Sequence, residues 1–184
     1  MTENLQTATF AGGCFWCTEA VFKRLKGVET VMPGYAGGKT DNPSYRQLHE
    51  QETGHAESIQ VTFDPHIISY DTLLDVFFAT HDPTTMNRQG YDQGTEYRSV
   101  IFYHTDAQKS AIHAKIEALE KEKKFQDPIV TEILPYTNFY PAEAEHKDYY
   151  DKNQNASYCR IIIDPKVKKL LKEFAKEVKD EYKE

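Results

Sequence analysis

The sequence predicts one α+β domain with a mixed β-sheet. Segments with the two-residue period of strands and segments with the helical period alternate in no regular βαβ order, which favours a mixed sheet over a parallel one. The 184 residues suffice for a single domain with a substantial core. No repeat or low-complexity linker divides them, so we expect residues 1–184 to form one domain.

The first predicted strand and helix flank a distinctive motif, AGGCFWC at residues 11–17. Residues 7–10 predict a strand, and residues 18–26 have apolar side chains at helical spacing, with Gly27 as a plausible end. Cys14 therefore lies at the start of a helix, where unpaired N–H groups and the helix dipole are found. We expect this setting to lower the pKa of Cys14 and to favour the nucleophilic thiolate.

Two aromatic residues and a second cysteine follow Cys14. Phe15 and Trp16, the only tryptophan, are expected to pack partly in the core and partly as walls of an apolar slot beside the thiol. Cys17 completes a C-x-x-C spacing, so Cys14 and Cys17 are candidate redox thiols.

The next elements follow from alternation, turn residues and helical spacing. Residues 28–32 predict a strand, which the turn residues 33–38 should end. We then expect a short helix at residues 44–52, a strand at 58–63 and a largely buried helix at 70–80.

The second half begins with an irregular segment, residues 81–95, whose proline and glycines predict a long loop of the kind that often carries function. After it we predict strands at 97–104 and 129–134, helices at 106–123 and 142–152, and an extended segment at 158–163. Residues 166–182 predict an amphipathic helix rich in Lys and Glu.

Composition limits the classes of partner. The net charge of −7 argues against nucleic acid or an anionic membrane as the main partner. No apolar run is long enough for a membrane-spanning helix, and the N-terminus lacks the features of a signal peptide. Three cysteines do not make a disulfide framework, so we expect free thiols in a reducing compartment, the cytoplasm.

Several motifs together resemble one known family. GCFW follows a strand, and it is succeeded in order by GYAGG at 34–38, NPSY at 42–45, TGHAE at 53–57, HDP at 81–83 and QGTEYRS at 93–99. In order and rough spacing these blocks resemble the peptide methionine sulfoxide reductase A family (MsrA), over about residues 8–159. One departure is Cys17, where the commonest family version has Gly.

The resemblance implies an α+β two-layer sandwich, with helices flanking the mixed sheet, and an enzyme that reduces the S epimer of methionine sulfoxide, free or in proteins and peptides. It also implies that no metal or organic cofactor is needed and that thioredoxin supplies the electrons. We further expect a monomer.

Reduction of a sulfoxide by a thiol requires a nucleophile for the sulfur, a proton for the departing oxygen and a pocket for the methyl group. Cys14 fits the nucleophile, and Phe15 and Trp16 fit the methyl slot. By resemblance, the proton donor is Glu57, the hydroxyls that hold the sulfoxide oxygen belong to Tyr45 and Tyr97, and the loop carboxylate that orders them is Asp92.

The sulfenic acid left on Cys14 condenses with a second thiol to form a disulfide. Both Cys17 and Cys159 are candidates for that thiol. Because the segment ending in Cys159 resembles the family block that carries the resolving thiol, we favour a Cys14–Cys159 disulfide, with Cys17 as a second relay thiol.

Two other functions remain open at this stage. A general thiol–disulfide oxidoreductase would use Cys14 and Cys17 as its dithiol, but then the blocks around Glu57 and the tyrosines would have no purpose. A zinc-binding module would use the three cysteines and a histidine, but a second close pair of ligands is missing.

Overall fold

A computed structural model describes residues 4–183, so the ends of the predicted domain, residues 1–3 and 184, lie outside the described residues. The strands are β1 (Gln6–Ala11), β2 (Val28–Ala36), β3 (Ala56–Phe63), β4 (Arg88–Gln89), β5 (Asp92–Gln93), β6 (Val100–Tyr103), β7 (Glu132–Pro135) and β8 (Phe139–Pro141). The α-helices are α1 (Phe15–Phe22), α2 (Tyr45–Glu50), α3 (Tyr70–Ala79), α4 (Asp106–Lys121), α5 (Tyr149–Lys152) and α6 (Asp164–Glu173).

Six strands form one sheet in the order β7-β6-β1-β3-β2-β8, and β4 and β5 form a separate small hairpin. β6 and β7 are parallel, whereas the other pairs in the six-stranded sheet are antiparallel. The prediction of a mixed sheet is therefore confirmed. In the β2–β3 register Tyr35 lies opposite Glu57, near the end of β2 and the start of β3.

The core has two parts because neighbouring strand residues face opposite sides of a sheet. Phe10 and Ile101 belong to the large cluster, which also contains the buried side chains of α1, α3, α4 and α6. Their neighbours Ala11 and Phe102 belong to a small cluster on the other face. The helices thus cover one face of the sheet, as a two-layer α+β sandwich requires.

The connection from β1 to α1 is a tight turn of two glycines. Gly13 has a positive φ of 83°, which L side chains rarely adopt. A Cβ at Gly12 would approach the ring of His81 to 2.9 Å. Cys14 follows as the N-cap of α1, with an extended backbone (φ −65°, ψ 130°).

Two predicted boundaries near the start are wrong. α1 begins at Phe15 and ends at Phe22, whereas the predicted helix ran over residues 18–26. β2 continues to Ala36 instead of ending before Pro33. Pro33 still takes part in the sheet, because its carbonyl accepts a hydrogen bond from the Ala142 N–H. Gly34 allows β8 to approach closely, since a Cβ there would lie 2.4 Å from the Tyr140 carbonyl oxygen.

Boundaries further along also differ from the prediction. The segment predicted as a helix at 142–152 is a 3₁₀ turn, Ala144–His146, and the short α5, separated by Asp148 with φ 56°. The strand predicted at 97–104 is shorter, because a 3₁₀ turn, Thr95–Tyr97, precedes β6. The strand predicted at 129–134 is β7, which begins only at Glu132.

The C-terminal region contains the largest error. The segment predicted as extended at 158–163 is helical, with a π-helical part, Cys159–Ile163, that continues directly into α6. α6 ends at Glu173, not near residue 182. The chain then returns to the end of α1, where the Lys26 N–H donates to the Glu177 carbonyl at 2.7 Å and the Lys179 N–H donates to the Arg24 carbonyl at 2.8 Å.

None of the helices within residues 4–183 has both the length and the apolar character needed to cross a bilayer.

Candidate active site

Cys14 lies at the junction of β1 and α1, and it is almost fully buried. Its carbonyl accepts the Cys17 N–H at 3.0 Å, which begins the first helical turn. Only 6% of the residue is exposed. Burial raises the pKa of the Cys14 thiol, and its hydrogen bond to Cys17 and the nearby charge of Glu57 act in the same direction.

The expectation of a lowered pKa at Cys14 is therefore wrong. The Trp16 backbone N–H does lower that pKa, as predicted for a helix start, but desolvation acts more strongly. In the reduced protein the proton stays on the Cys14 sulfur.

Cys17 lies one helical turn later, and its environment differs from that of Cys14. A hydrogen bond from the Cys14 thiol lowers the pKa of Cys17, and the positive charge of Lys166 lowers it further. The Cys17 sulfur also lies 3.8 Å from the Tyr158 hydroxyl. The surroundings of Cys17, unlike those of Cys14, therefore favour its thiolate form.

Glu57 points from β3 toward the start of α1, and it is completely buried. Its Oε1 accepts a hydrogen bond from the Phe15 N–H at 3.2 Å. Burial raises the pKa of the Glu57 carboxyl, although the interaction with His49 opposes this. A carboxyl with a raised pKa is suited to donate a proton near neutral pH.

The two predicted tyrosines stand close to the same carboxyl. Tyr45 is the first residue of α2. Tyr97 is the last residue of a 3₁₀ turn, and its carbonyl accepts the Gly13 N–H at 3.2 Å. Burial raises the pKa of both hydroxyls, and so do the charges of Glu57 and Cys14. Both tyrosines therefore keep their protons and are available as hydrogen-bond donors.

Asp92 lies in the β4–β5 hairpin, and it is bound to a residue that the sequence did not single out. The Tyr158 hydroxyl donates a hydrogen bond to Asp92 Oδ2 at 2.6 Å. Sequence reasoning missed Tyr158, and it also missed His49, because among twelve tyrosines and seven histidines no local pattern distinguished either. Their places depend on contacts between distant parts of the chain.

The two aromatic residues of the motif have different surroundings. Trp16 is partly exposed, stacks on Tyr149 with ring centroids 3.7 Å apart, and donates its indole N–H to His146 Nδ1 at 3.1 Å. Phe15 is fully buried, with its ring 6.2 Å from that of Tyr45. Trp16 therefore has exposed surface that a ligand can contact, whereas Phe15 lies in the core.

The third cysteine is buried behind this region. Cys159 lies in the π-helical segment with no exposed surface, and burial raises the pKa of its thiol. A cavity of about 230 Å³ opens beside the other two thiols; its lining includes Cys14, Cys17, Asp92, Tyr158 and Lys166. Cys159 does not line that cavity.

A zinc site built on the thiols finds no support in residues 4–183. The one group of three metal-ligand side chains found there is Glu143, Glu145 and His146, which contains no cysteine. Glu143 already accepts hydrogen bonds from the Tyr35 hydroxyl and the Tyr45 N–H.

The chain is similar over most of its length to proteins of one family. The sequence model described as peptide methionine sulfoxide reductase matches residues 6–179. A protein of Sulfolobus acidocaldarius named peptide methionine sulfoxide reductase MsrA is 54% identical over 170 residues, which cover 92% of this chain and 96% of that protein.

Solved structures show the same similarity. Mxr1 from Saccharomyces cerevisiae in reduced form has a TM-score of 0.78 at 39% identity, covering 84% of this chain and 89% of that one. The same yeast protein in complex with Trx2 has a TM-score of 0.56 at 30% identity, covering 79% and 84% of the two chains.

Proposed function

Because the chain belongs to the peptide methionine sulfoxide reductase family, we propose that it reduces the S epimer of methionine sulfoxide at Cys14. The reaction depends on thiols, and thioredoxin recycles the enzyme. The observation that carries the assignment of the site is the meeting of Cys14 with Glu57, Tyr45 and Tyr97 at the β1–α1 turn. Glu57 Oε1 accepts the Phe15 N–H, the Tyr97 carbonyl accepts the Gly13 N–H, and the Tyr45 ring lies 6.2 Å from that of Phe15.

The residues divide the first step as follows. The Tyr45 and Tyr97 hydroxyls donate hydrogen bonds to the sulfoxide oxygen, and Trp16 contacts the methyl group. Glu57 gives its proton to that oxygen while the Cys14 sulfur attacks the substrate sulfur. The bond between the two sulfurs and the S–O bond of the substrate then break while the oxygen bonds to the Cys14 sulfur, so that methionine leaves and Cys14 becomes a sulfenic acid.

The protons balance over this step. Cys14 begins as a thiol, because burial raises its pKa. The proton that Glu57 gives becomes the hydrogen of the sulfenic acid, and the thiol proton of Cys14 restores Glu57. No metal or organic cofactor is required for this chemistry, because the two electrons come from the Cys14 sulfur.

We propose that Cys17 attacks the Cys14 sulfenic acid first, which forms a Cys14–Cys17 disulfide and releases water. Cys159 then attacks the Cys17 sulfur, which forms a Cys17–Cys159 disulfide and releases the Cys14 thiol. This order differs from the Cys14–Cys159 pairing that the sequence favours. The support is that Cys14 and Cys17 line the same cavity, that the pKa of Cys17 is lowered, and that Cys159 does not line this cavity. Thioredoxin returns the disulfide to thiols by exchange.

The setting of the activity follows from the same features. Three free thiols support a reducing compartment such as the cytoplasm. We propose that the chain acts as a monomer. The net charge of −7 supports small-molecule, peptide and protein substrates rather than nucleic acid.

Cys14→Ser tests the assignment of the nucleophile. A serine hydroxyl is too weak a nucleophile at the sulfoxide sulfur, so this variant should form no methionine, even from one equivalent of methionine S-sulfoxide. The measurement is methionine released by the reduced enzyme without thioredoxin. Single-turnover methionine formation by Cys14→Ser would refute the assignment, and reduction of insulin disulfides without sulfoxide turnover by the wild type would favour a general dithiol oxidoreductase.

Cys17→Ser and Cys159→Ser together test the order of the thiols. Each variant should release about one equivalent of methionine from the Cys14 step alone. After that single turnover, Cys17→Ser should contain free Cys14 sulfenic acid, whereas Cys159→Ser should contain a Cys14–Cys17 disulfide by peptide mass mapping. If a Cys14–Cys159 disulfide formed in Cys17→Ser as fast as the wild type is oxidised, the proposed order would be refuted and the pairing that the sequence favours would be correct.

A further inference from the structure

His49 stands between two carboxylates, one buried and one near the surface. Its Nε2 lies 3.4 Å from Glu57 Oε2, and its Nδ1 lies 3.2 Å from Glu96 Oε1. The side chain of Glu57 has no exposed surface, whereas 24% of the His49 side chain is exposed. His49 is therefore the link between the buried carboxyl and the solvent.

The two oxygens of Glu57 have different roles. Oε1 accepts the Phe15 N–H, which holds the carboxyl in place. Oε2 is buried, and within residues 4–183 it has no aligned hydrogen bond, although it faces His49 Nε2. The oxygen that can carry and release a proton is thus the one beside the imidazole.

We propose that His49 is a positioning residue for sulfoxide reduction: it shares one proton with Glu57 and keeps that proton available for transfer to the substrate oxygen. This inference rests on the proposed function of Glu57 as the proton donor. His49 does not touch the reacting atoms and acts only through Glu57.

The groups around His49 support this state. The adjacent Glu57 carboxylate raises the pKa of His49, and the charge of Glu96 raises it further. The ring centroids of Tyr45 and Tyr97 lie 4.4 and 5.8 Å from that of His49. Their hydroxyls stay protonated and bring no charge.

His146 is a further titratable neighbour. Burial lowers the pKa of His146, which favours its neutral form. His49 thus has two acidic partners and no cationic one among these neighbours.

The sign of the pH effect follows from proton sharing. Two groups that hold one proton between them release it at a higher pH than either would beside a neutral partner, because the proton has two places to reside. Replacing His49 by a neutral residue leaves Glu57 to hold the proton alone. The pH above which the sulfoxide step fails should therefore move to lower pH.

The test is His49→Gln, which keeps a side-chain N–H for Glu57 but cannot take up a proton. The rate of a single turnover with an S-sulfoxide peptide is measured by rapid quench between about pH 5 and 10. We expect the alkaline limb to move down by about one unit, the usual size of the effect of an ion pair on a pKa, with the plateau rate retained. At pH values above the alkaline limbs of both enzymes, the rate of His49→Gln should be about tenfold below that of the wild type.

Two further variants complete the experiment. Glu96→Gln should shift the alkaline limb in the same direction but less far, because it removes only the charge that supports the imidazolium. His66→Gln is the matched control, since His66 also pairs with a carboxylate, Asp64, but its side chain is 71% exposed outside the site. This control should leave the profile unchanged.

The outcomes separate this inference from the role of Glu57. A His49→Gln profile with the wild-type limb, or one lowered equally at every pH, would overturn the inference and leave only a structural role for His49. A Glu57→Gln enzyme with the wild-type rate would instead overturn the proposed proton donor itself.

Discussion

At the residue scale, the reactivity of this site depends on burial more than on position along the helix. Cys14 has the helix-start geometry that usually produces a thiolate, yet its pKa is raised, with desolvation as the largest cause. The same burial raises the pKa of Glu57. Burial thus favours the protonated forms of the proposed acid and of the proposed nucleophile, which suits a reaction whose product is a sulfenic acid and whose oxygen needs a proton.

Glu57→Gln should keep the fold and slow the sulfoxide step by about 10²–10⁴-fold, the usual contribution of a general acid. The amide oxygen of the replacement still accepts the Phe15 N–H, so the start of α1 remains in place. The measurement is the single-turnover rate of methionine formation. Glu29→Gln, at an exposed position on β2, is the control and should react at the wild-type rate.

At the element scale, α2 carries much of the site on only six residues. Tyr45 and His49 are four residues apart and therefore project from the same side of this short helix. Helices of this length are not stable alone, so α2 depends on its cap and on its packing. Ser44 accepts the Gln47 N–H at 3.1 Å, and Gln47 Oε1 accepts the Ser44 N–H at 2.9 Å, which completes a capping box.

Ser44→Ala should lower the free energy of unfolding by about 0.5–2 kcal/mol, the usual effect of losing an N-cap. It should also raise KM for a sulfoxide peptide, because Tyr45 follows the cap directly. Urea denaturation and steady-state kinetics measure the two effects. Ser69→Ala removes the corresponding cap of α3, where Ser69 accepts the Thr72 N–H at 3.0 Å.

The Ser69→Ala control should be destabilised to a similar extent with KM unchanged, since α3 carries none of the proposed site residues. If both variants raised KM equally, the effect would come from general loss of stability and not from the position of Tyr45.

At the scale of the whole molecule, the C-terminal segment after α6 packs against the end of α1. Val178 is fully buried and pairs with Leu25 in an isolated β-bridge. Arg24 lies between the rings of Tyr150 and Tyr182, 5.1 and 4.6 Å from their centroids, and donates to Asp151 at 2.8 Å. Because Cys14 is the N-cap of α1, these contacts stabilise the helix that begins at the proposed nucleophile.

Val178→Ala should lower the free energy of unfolding by about 1.5–3 kcal/mol, because it removes buried methyl groups and leaves a cavity. The melting temperature should fall by roughly 2–4 °C for each kcal/mol in a chain of this size. Met86→Ala, at a residue that is 66% exposed, is the control and should melt like the wild type. Equal melting temperatures for Val178→Ala and the wild type would show that the C-terminal segment does not support the fold.

The sequence alone determined the features that depend on neighbouring residues. The alternation of residues 58–63, the spacing of apolar residues in α3 and the strand–turn–helix around Cys14 are all local, and the structure contains each of them. The motifs also led to the family, because they occur in order along the chain. The resemblance to that family assigns Cys14, Glu57, Tyr45, Tyr97 and Asp92 to the proposed site.

Only the tertiary structure decided the properties that depend on distant contacts. Pro33 and Gly34 continue β2 because β8 packs beside them, and α6 ends early because the chain after it bonds to the end of α1. The pKa of Cys14 is raised because the fold removes water from the thiol, and His49 pairs with Glu57 because α2 is placed beside β3. Desolvation and ion pairing depend on distances in space, and local sequence patterns do not contain those distances.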